Sequence, residues 1–311
     1  MLNFLPAPLK GTIAALLILL NTLILFPVLI VFALIKLLLP FNAIRKGCTV
    51  ILNYIAYIWI GFNNLVGDVL HKVEWDIRGL EGLRRDHWYF VTCNHQSWAD
   101  IPAIQYVLNS QIPLLKFFLK KELIWVPLLG IAWWALDFPF MRRYTREQIA
   151  KRPELKGKDL ETTRQACKKF HYTPVTVFNF MEGTRLTPAK HAAQKSPYRN
   201  LLKPRAGGTA FVLGAMGETL HTMLDVTIVY PDGRTGFWDY LCGRIKRIVI
   251  DVRTLEIPQQ FLGMDYQNDT EVQQAFQAWV SELWAHKDAL IDQLKQPVGE
   301  AVTGEQVPEA S

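Results

Sequence analysis

The chain has 311 residues, of which 50% are hydrophobic and 20% are charged, so it is more apolar than a typical soluble domain. Its net charge of +6 suits contact with anionic lipid or phosphate groups, and no nucleic-acid-binding motif accompanies that charge, so nucleic acid is not an expected partner. The four cysteines are scattered without a Cys-x-x-Cys pair, which argues against a disulfide framework or a zinc site.

The first predicted element is a membrane-spanning helix over residues 11–35. This segment contains no charged side chain and exceeds the roughly 20 residues that a bilayer core requires. Asn21 and Pro27 interrupt it, and transmembrane helices tolerate both. The run is too long for a cleaved signal peptide, and no small-residue cleavage site follows it. The segment therefore predicts a membrane anchor.

A second apolar segment, residues 48–67, is more amphiphilic because it carries Tyr54, Tyr57 and Trp59. It either crosses the membrane or lies in the interface, where Tyr and Trp are favoured. Most basic residues follow the first segment, so the positive-inside rule favours a single crossing with the rest of the chain in the cytoplasm. We therefore predict an N-terminal membrane anchor over residues 1–70.

From residue 71 onward, apolar runs of strand length alternate with helical patterns, which predicts an α/β domain with crossovers over residues 71–295. The polar residues 296–311 are predicted to form a disordered tail. The predicted strands are Val73–Ile77, Trp88–Cys93, Leu114–Phe118, Pro174–Met181, Leu224–Tyr230 and Ile245–Val252. The predicted helices are Trp98–Val107, Lys121–Trp134, Arg146–Phe170, Ala206–Leu220 and Thr270–Leu294.

The sequence "NHQSWAD", residues 94–100, follows a buried strand and contains His95 and Asp100. Residues five apart do not meet on one helix, but a strand ending near Asn94 and a helix starting at Ser97 would reverse the chain between them. Asp100 would then orient His95 as a general base for a hydroxyl group. The alternative is structural, because Ser97 and Asp100 also have the spacing of a helix capping box. Spacing alone favours the cap.

A second polar motif, Glu182-Gly183-Thr184-Arg185, follows another buried strand. Gly183 permits an unusual backbone angle or the close approach of a ligand, Thr184 offers a hydroxyl, and Arg185 offers a planar donor fork suited to phosphate. A turn with a surface arginine is the structural alternative.

Two basic segments carry further candidates. Arg142 and Arg143 end an aromatic stretch, where they either snorkel at the membrane interface or bind an anion. Residues 190–205 contain five basic side chains and no acidic one, which indicates a basic loop. The loop either contacts the membrane surface or a phosphate group, or is an ordinary surface loop.

The sequence lacks GxSxG, GxGxxG, Walker and HExxH motifs, which removes several nucleophilic, nucleotide-binding and metalloprotease functions. Cys93 precedes His95 by two residues, but at the end of an apolar strand it is more typical of a small core residue than of a nucleophile.

The combination of His95 and Asp100 in HxxxxD spacing, an aromatic stretch ending in Arg143, and the EGTR motif resembles the glycerophospholipid acyltransferases. The resemblance to the 1-acyl-sn-glycerol-3-phosphate (lysophosphatidate) acyltransferase family runs from about Phe90 to Pro231. It implies an α/β fold with a mixed, mostly parallel sheet flanked by helices. The chain departs from the family at Met181, where proline is common, and in the late position of Pro231.

The resemblance also implies roles for the motif residues. His95 would be the general base and Asp100 would orient it. Five residues would bind the glycerol phosphate: Arg143, Glu182, Gly183, Thr184 and Arg185. The co-substrate would be acyl-CoA or an acyl-carrier protein, with no metal or other cofactor.

The expected function is therefore transfer of a fatty acyl group to the free hydroxyl of 1-acyl-glycerol-3-phosphate in phospholipid biosynthesis. The expected location is a bacterial inner membrane, with the catalytic domain on the cytoplasmic side. The two departures leave open a headgroup-bearing lysophospholipid acceptor, as in the lysophospholipid and lysocardiolipin branch. A non-catalytic lipid-binding membrane module is the third alternative.

Overall fold

A computed structural model of the chain describes residues 4–141, 173–217, 219–266 and 268–296, together with positions 152, 161, 165, 167 and 170. Arg143, most of the predicted helix 146–170 and nearly all of the predicted tail lie outside the described residues.

The described helices and strands are, in chain order, α1 (Ala7–Leu38), α2 (Asn42–Leu70), β1 (Glu74–Arg78), β2 (Tyr89–Cys93), α3 (Asp100–Leu108), β3 (Leu115–Phe117), β4 (Leu119–Lys120), α4 (Leu129–Ala135), β5 (Phe140–Met141), β6 (Thr176–Phe180), α5 (Pro188–Gln194), α6 (Ala206–Met216), β7 (Thr222–Val229), α7 (Phe237–Leu241), β8 (Arg247–Glu256) and α8 (Thr270–Leu294).

Six strands form one sheet in the order β1-β8-β7-β2-β6-β3. The four strands β7, β2, β6 and β3 run parallel to one another. Strand β8 is antiparallel to β7, and β1 pairs with β8 in parallel. The predicted mixed, mostly parallel sheet is confirmed. β4 and β5 form a separate two-stranded parallel pair.

The central strand β2 is buried on both faces, as the continuous apolar run predicted. Because successive side chains point to opposite faces, Phe90 packs in a core with Phe276 and Trp284 of α8, while Val91 packs on the other face against α3. Helices therefore cover both sides of the sheet. α8 is also joined to β7 by Lys287, whose fully buried Nζ donates to the carbonyl of Val226 over 2.6 Å.

Two segments differ from the sequence-based expectation. The predicted helix 121–134 is a 3-10 turn over Lys121–Trp125 followed by α4, because Pro127 lacks an N–H and disfavours helical geometry at the residue before it. The predicted basic loop begins with a helix instead, α5. Thr187 caps that helix by accepting a hydrogen bond from the N–H of Lys190, and Pro188 occupies its first turn.

α1 and α2 pack together as a helical hairpin. Asn21 donates to the carbonyl of Trp59 over 3.1 Å and to Oδ1 of Asn63 over 2.9 Å, and Trp59 Nε1 donates to Oγ1 of Thr22 over 3.0 Å. Both helices are long and apolar enough to cross a membrane, judged by length and composition alone.

The hairpin also packs against the α/β domain. Near the start of α1, Gly11 lies against Trp238 and Cys242, and near its end Lys36 forms an ion pair with Asp137. A helix that contacts one domain near both ends lies along that domain. Its outward face exposes apolar side chains, as does that of α2; among them are Leu16, Leu19, Leu23, Ile24 and Val31, and Tyr54, Ile58, Phe62 and Leu65.

The predicted boundary at residue 70 coincides with the end of α2 at Leu70, where the chain passes into β1. A single crossing by the first helix stays a prediction. The packing of α1 restricts it, because a helix in contact with the domain along its length cannot cross a bilayer while the whole domain stays in water.

Candidate active site

The polar motifs meet at the carboxyl ends of three neighbouring parallel strands. His95 lies two residues beyond β2, Glu182 lies two residues beyond β6, and Tyr230 directly follows β7. In open α/β sheets the carboxyl ends of the parallel strands are where ligands bind. Sequence reasoning placed the first two residues at strand ends, and the sheet order brings them side by side.

Asn94 fixes the point at which the chain leaves β2. Its side chain is fully buried, donates to the carbonyl of Ile228 and accepts from the N–H of Ile228, each over 2.9 Å. These bonds continue the pairing of β2 with β7 through a side chain, so the backbone of His95 is free to turn away from the sheet.

The turn brings His95 and Asp100 together. His95 Nδ1 lies 2.8 Å from Oδ2 of Asp100, with side chains that are 13% and 0% exposed. The predicted chain reversal between strand and helix is confirmed.

The Asp100 carboxylate accepts four hydrogen bonds. Oδ2 accepts from Nδ1 of His95 and from the backbone N–H groups of Gln96 and Ser97, over 2.7 and 2.9 Å. Oδ1 accepts from the hydroxyl of Tyr230 over 2.7 Å. Both carboxylate oxygens are therefore satisfied by hydrogen-bond donors. The helix expected to start at Ser97 starts at Asp100 instead, with Ala99 at its N-cap and no side-chain cap. Ser97 Oγ accepts from the N–H of Ala99, so Asp100 ties the turn before the helix together and does not complete a capping box.

The His95 ring is held by stacking as well as by hydrogen bonding. It lies on the ring of Phe180, with centroids 3.8 Å apart and planes inclined by 13°. The network assigns the Nδ1 proton to the bond with Asp100, which leaves the lone pair of Nε2 as the basic site. No hydrogen bond occupies Nε2 among the described residues. The arrangement can accept a proton from a hydroxyl group.

Glu182 is buried beneath His95 and contacts backbone groups. Its Oε1 accepts from the N–H of His95 over 2.9 Å, and its Oε2 accepts from the N–H of Leu202 over 3.2 Å. Burial raises the pKa of this carboxyl group to about 7. The carbonyl of His95 accepts in turn from the N–H of Leu186 over 2.7 Å. The segment after β6 therefore holds the backbone of His95 at both its N–H and its carbonyl group.

The other residues of the EGTR motif form an open, cationic turn. Gly183 has φ of +66°, a conformation that favours glycine. Thr184 Oγ1 accepts from Lys190 Nζ over 2.7 Å, and the guanidinium group of Arg185 stacks 4.7 Å above the ring of Trp98. This contact sets Arg185 beside the His95–Asp100 loop, where its donors remain available to an anion.

Arg143 lies outside the described residues, so its predicted role in phosphate binding stays a prediction. So do the binding roles of Glu182, Gly183, Thr184 and Arg185 and the catalytic roles of His95 and Asp100, although the structure brings these six residues to one edge of the sheet.

Sequence reasoning missed three residues that shape the site: Asn94, Phe180 and Tyr230. Tyr230 was placed only as the last residue of a predicted strand. A polar hydroxyl at the end of a buried strand was the available signal, because a buried tyrosine needs a hydrogen-bond partner.

Cys93 lies at the end of β2 with its side chain fully buried. Burial raises the pKa of its thiol well above the usual value, which disfavours the thiolate that a nucleophile requires. Within the described part of the chain, no group of three His, Cys, Asp or Glu side chains could hold a metal ion.

A family model described as Acyltransferase matches residues 74–230, just over half of the chain. One relative, 2-acyl-1-lysophosphatidylinositol acyltransferase of Saccharomyces cerevisiae, is 24% identical over 64% of this chain and 59% of its own length. The 1-acyl-sn-glycerol-3-phosphate acyltransferase gamma of Mus musculus is 27% identical over 58% of this chain and 46% of its own length.

The chain thus spans about half the length of these curated relatives. Among solved structures, the 1-acyl-sn-glycerophosphate acyltransferase PlsC of Thermotoga maritima is 18% identical, covering 88% of this chain and 98% of its own, with a TM-score of 0.43.

Proposed function

Because the chain belongs to the acyltransferase family, we propose that it transfers a fatty acyl group from an acyl thioester to the free hydroxyl of 1-acyl-glycerol-3-phosphate. The acyl donor is acyl-CoA or an acyl-carrier protein, and the reaction serves phospholipid synthesis. The observation that carries the proposal is the His95–Asp100 pair, in which a fully engaged carboxylate orients an imidazole whose second nitrogen is free.

In the proposed reaction, Nε2 of His95 takes the proton of the acceptor hydroxyl as its oxygen attacks the thioester carbonyl. The tetrahedral intermediate collapses, the carbon–sulfur bond breaks, and the leaving thiolate takes the proton from the imidazolium. Asp100 stabilises the imidazolium between these two steps. No acyl-enzyme is formed, so the reaction needs no nucleophilic serine or cysteine.

Much of the rate would come from positioning, since well-aligned intramolecular reactions reach effective molarities of about 10⁵ M or more. The structure supports this proposal at His95, whose ring is fixed by Asp100 and Phe180 and whose backbone is fixed by Glu182 and Leu186. Glu182 thus acts behind the histidine, and the acceptor phosphate is left to Thr184, Arg185 and Arg143.

The hairpin of α1 and α2 would keep this site at the lipid surface, where the acceptor resides. Its exposed apolar face needs an apolar environment, and the α/β domain already covers the opposite face. The proposed location is the cytoplasmic face of a bacterial inner membrane.

The competing proposal is acylation of a lysophospholipid that carries a headgroup. It is favoured by the printed name of the yeast relative, which refers to lysophosphatidylinositol, and by Met181 in place of the common proline. A non-catalytic lipid-binding module is disfavoured, because binding alone does not require a histidine held by four neighbouring residues.

The test is acyl transfer by purified protein in lipid vesicles, with labelled acyl-CoA or acyl-carrier protein and a panel of lysophospholipids. We expect His95→Ala to lower transfer at least about 1000-fold, because it removes the base, while the exposed control His286→Ala transfers at the wild-type rate. Substantial transfer by the His95 variant would refute the mechanism. Wild-type transfer to none of the acceptors would refute the proposed function.

A further inference from the structure

We propose that Arg205 supplies a guanidinium group to the acceptor site beside that of Arg185, and that this added cation favours an acceptor whose phosphate is a monoester. This inference rests on the proposed function and specifies its acceptor. The sequence placed Arg205 only at the end of the basic segment 190–205, without a specific ligand.

The position of Arg205 is set by the same turn that carries Glu182 and Arg185. Its backbone N–H donates to the carbonyl of Met181 over 2.7 Å, which ties the start of α6 to the end of β6. Its side chain then passes over Gly183: a Cβ atom on that glycine would lie 3.0 Å from Cδ and 3.4 Å from Nε of Arg205. The guanidinium group of Arg205 therefore lies across the EGTR turn.

Gly183 is needed here for two separate reasons. Its φ of +66° is unfavourable for a residue with a side chain, and a Cβ atom there would press against the side chain of Arg205. A glycine that only completed a turn would face open space, as Gly233 and Gly263 do.

The donors of both arginines are unused within the described residues. Arg205 forms no ion pair or side-chain hydrogen bond there, and the only contact recorded for the Arg185 guanidinium group is its stacking on Trp98. The carboxylate of the same motif, Glu182, is buried and faces the opposite way, toward the N–H groups of His95 and Leu202. Among the residues that the structure describes, two guanidinium groups thus flank the turn without a carboxylate partner.

A group of cations favours the acceptor whose phosphate carries the larger negative charge. A phosphate monoester carries about −1.5 to −2 charges at pH 7 and offers three oxygens, whereas a phosphodiester headgroup carries one negative charge and two free oxygens. Lys190 adds a positive charge to the same turn, because its ammonium group donates to two neutral acceptors, Thr184 Oγ1 and the carbonyl of Arg185, and this charge also favours the monoester. Two planar donor forks fit the monoester of lysophosphatidate better than the diester of lysophosphatidylglycerol.

The test measures binding and turnover separately. Binding of lysophosphatidate, lysophosphatidylglycerol and monoacylglycerol is measured in neutral detergent micelles with the His95→Ala protein, which cannot consume the ligand. Arg205→Gln and Arg205→Lys are added to that background, with Lys203→Gln as the control, because Lys203 is an exposed cation two residues earlier in the same segment.

We expect Arg205→Gln to weaken lysophosphatidate binding by about 10- to 100-fold, the range for a lost charge-assisted hydrogen bond. Binding of lysophosphatidylglycerol should weaken less than about 5-fold, and binding of monoacylglycerol should not change. The lysophosphatidate affinity of Arg205→Lys should lie between those of Arg205→Gln and the unchanged arginine, because lysine keeps the charge but lacks the planar donor fork. In protein that retains His95, Arg205→Gln should raise the KM for lysophosphatidate and leave the KM for acyl-CoA unchanged.

Equal weakening for the monoester and the diester would overturn the selection of a monoester, and behaviour like Lys203→Gln would overturn the assignment of Arg205. If wild-type protein shows the expected binding pattern but no acyl transfer, the inference stands and the proposed function fails.

Discussion

Two neighbouring regions of the site are built in opposite ways. In the loop from Asn94 to Asp100, buried polar side chains are saturated: Asn94 pairs with Ile228, and Asp100 accepts four hydrogen bonds. In the turn from Gly183 to Arg185, the guanidinium group is half-buried and its donors are open. The first region suits chemistry, which needs fixed geometry, and the second suits binding, which needs unsatisfied donors.

Glu182 is the residue that joins these regions. It begins the EGTR motif, yet its carboxylate belongs to the first region, because both oxygens accept from buried backbone groups. Variants in the first region should therefore lower kcat, and variants in the second should raise the acceptor KM.

The largest effect in this comparison is expected for Asp100→Asn. The amide oxygen can still accept from His95, Gln96 and Ser97, and the Tyr230 hydroxyl can rotate to accept from the amide nitrogen, so we expect the fold to persist. The charge that stabilises the imidazolium is lost, and kcat should fall about 100-fold or more. Initial rates and the thermal midpoint check this, with the exposed Asp86→Asn as control. If Asp100→Asn instead lowers stability strongly, and activity falls only in proportion to the amount of folded protein, then the role of Asp100 is purely structural.

Glu182→Gln should have the next largest effect, because glutamine offers one acceptor where two N–H groups require one each. We expect kcat to fall about 10- to 50-fold as His95 shifts, with a loss of about 1 to 3 kcal/mol in the free energy of unfolding.

The same variant has a pH signature. The pKa of Glu182 is raised to about 7 by burial, so the folded protein binds a proton there that the unfolded chain releases near pH 4.5. Stability from this group is therefore present below pH 4.5 and is lost as pH rises toward 7, by about 3 kcal/mol. Denaturant titrations from pH 4.5 to 7.5 should show this decline in the wild type and not in Glu182→Gln; parallel curves would contradict the assignment.

Tyr230→Phe should have a smaller effect on the first region. It leaves Oδ1 of the buried Asp100 without a donor, which costs about 1 to 2 kcal/mol of stability. We expect kcat to fall about 10-fold with the acceptor KM unchanged, because the hydroxyl positions the carboxylate and does not touch the substrate. A changed KM with constant kcat would instead place Tyr230 in the binding region. Tyr240→Phe, a second largely buried tyrosine outside this network, is the control.

Trp98→Leu tests the second region and should have the smallest effect. The cation–π contact with Arg185 is worth about 0.5 to 1 kcal/mol, so its loss should raise the acceptor KM about 2- to 5-fold with kcat nearly constant. Trp125→Leu, which removes a still more exposed indole from another surface, controls for general effects on lipid contact. Equal changes in both variants would assign Trp98 to the membrane surface.

Periodicity and local spacing predicted what depends on neighbouring residues. The strand positions, the two-sided burial of β2 and the meeting of His95 with Asp100 all follow from short stretches of sequence. The residues that complete the site depend on distant ones. Tyr230 reaches Asp100 across 130 positions, and Glu182 reaches His95 across 87.

The role of Glu182 was also hidden because its partners are backbone N–H groups, which every residue except proline carries. The contact therefore cannot be predicted from the identities of the residues that form it. Likewise, the composition of α1 indicates that the helix avoids water, but not which part of its surface meets lipid and which part meets Trp238 and Asp137. Such choices are made by tertiary packing.

The packing of the hairpin along the α/β domain has a consequence for handling the protein. Leu29 and Ala33 of α1 and Leu52 and Ile55 of α2 share one apolar cluster with Leu119, Leu136 and Phe138 of the domain. Removing the first 70 residues would strip that cluster and leave domain surface bare. Lipid or detergent that binds the hairpin's outer face then acts as a ligand of the folded state, so its concentration and chain length should shift the melting temperature of the whole molecule.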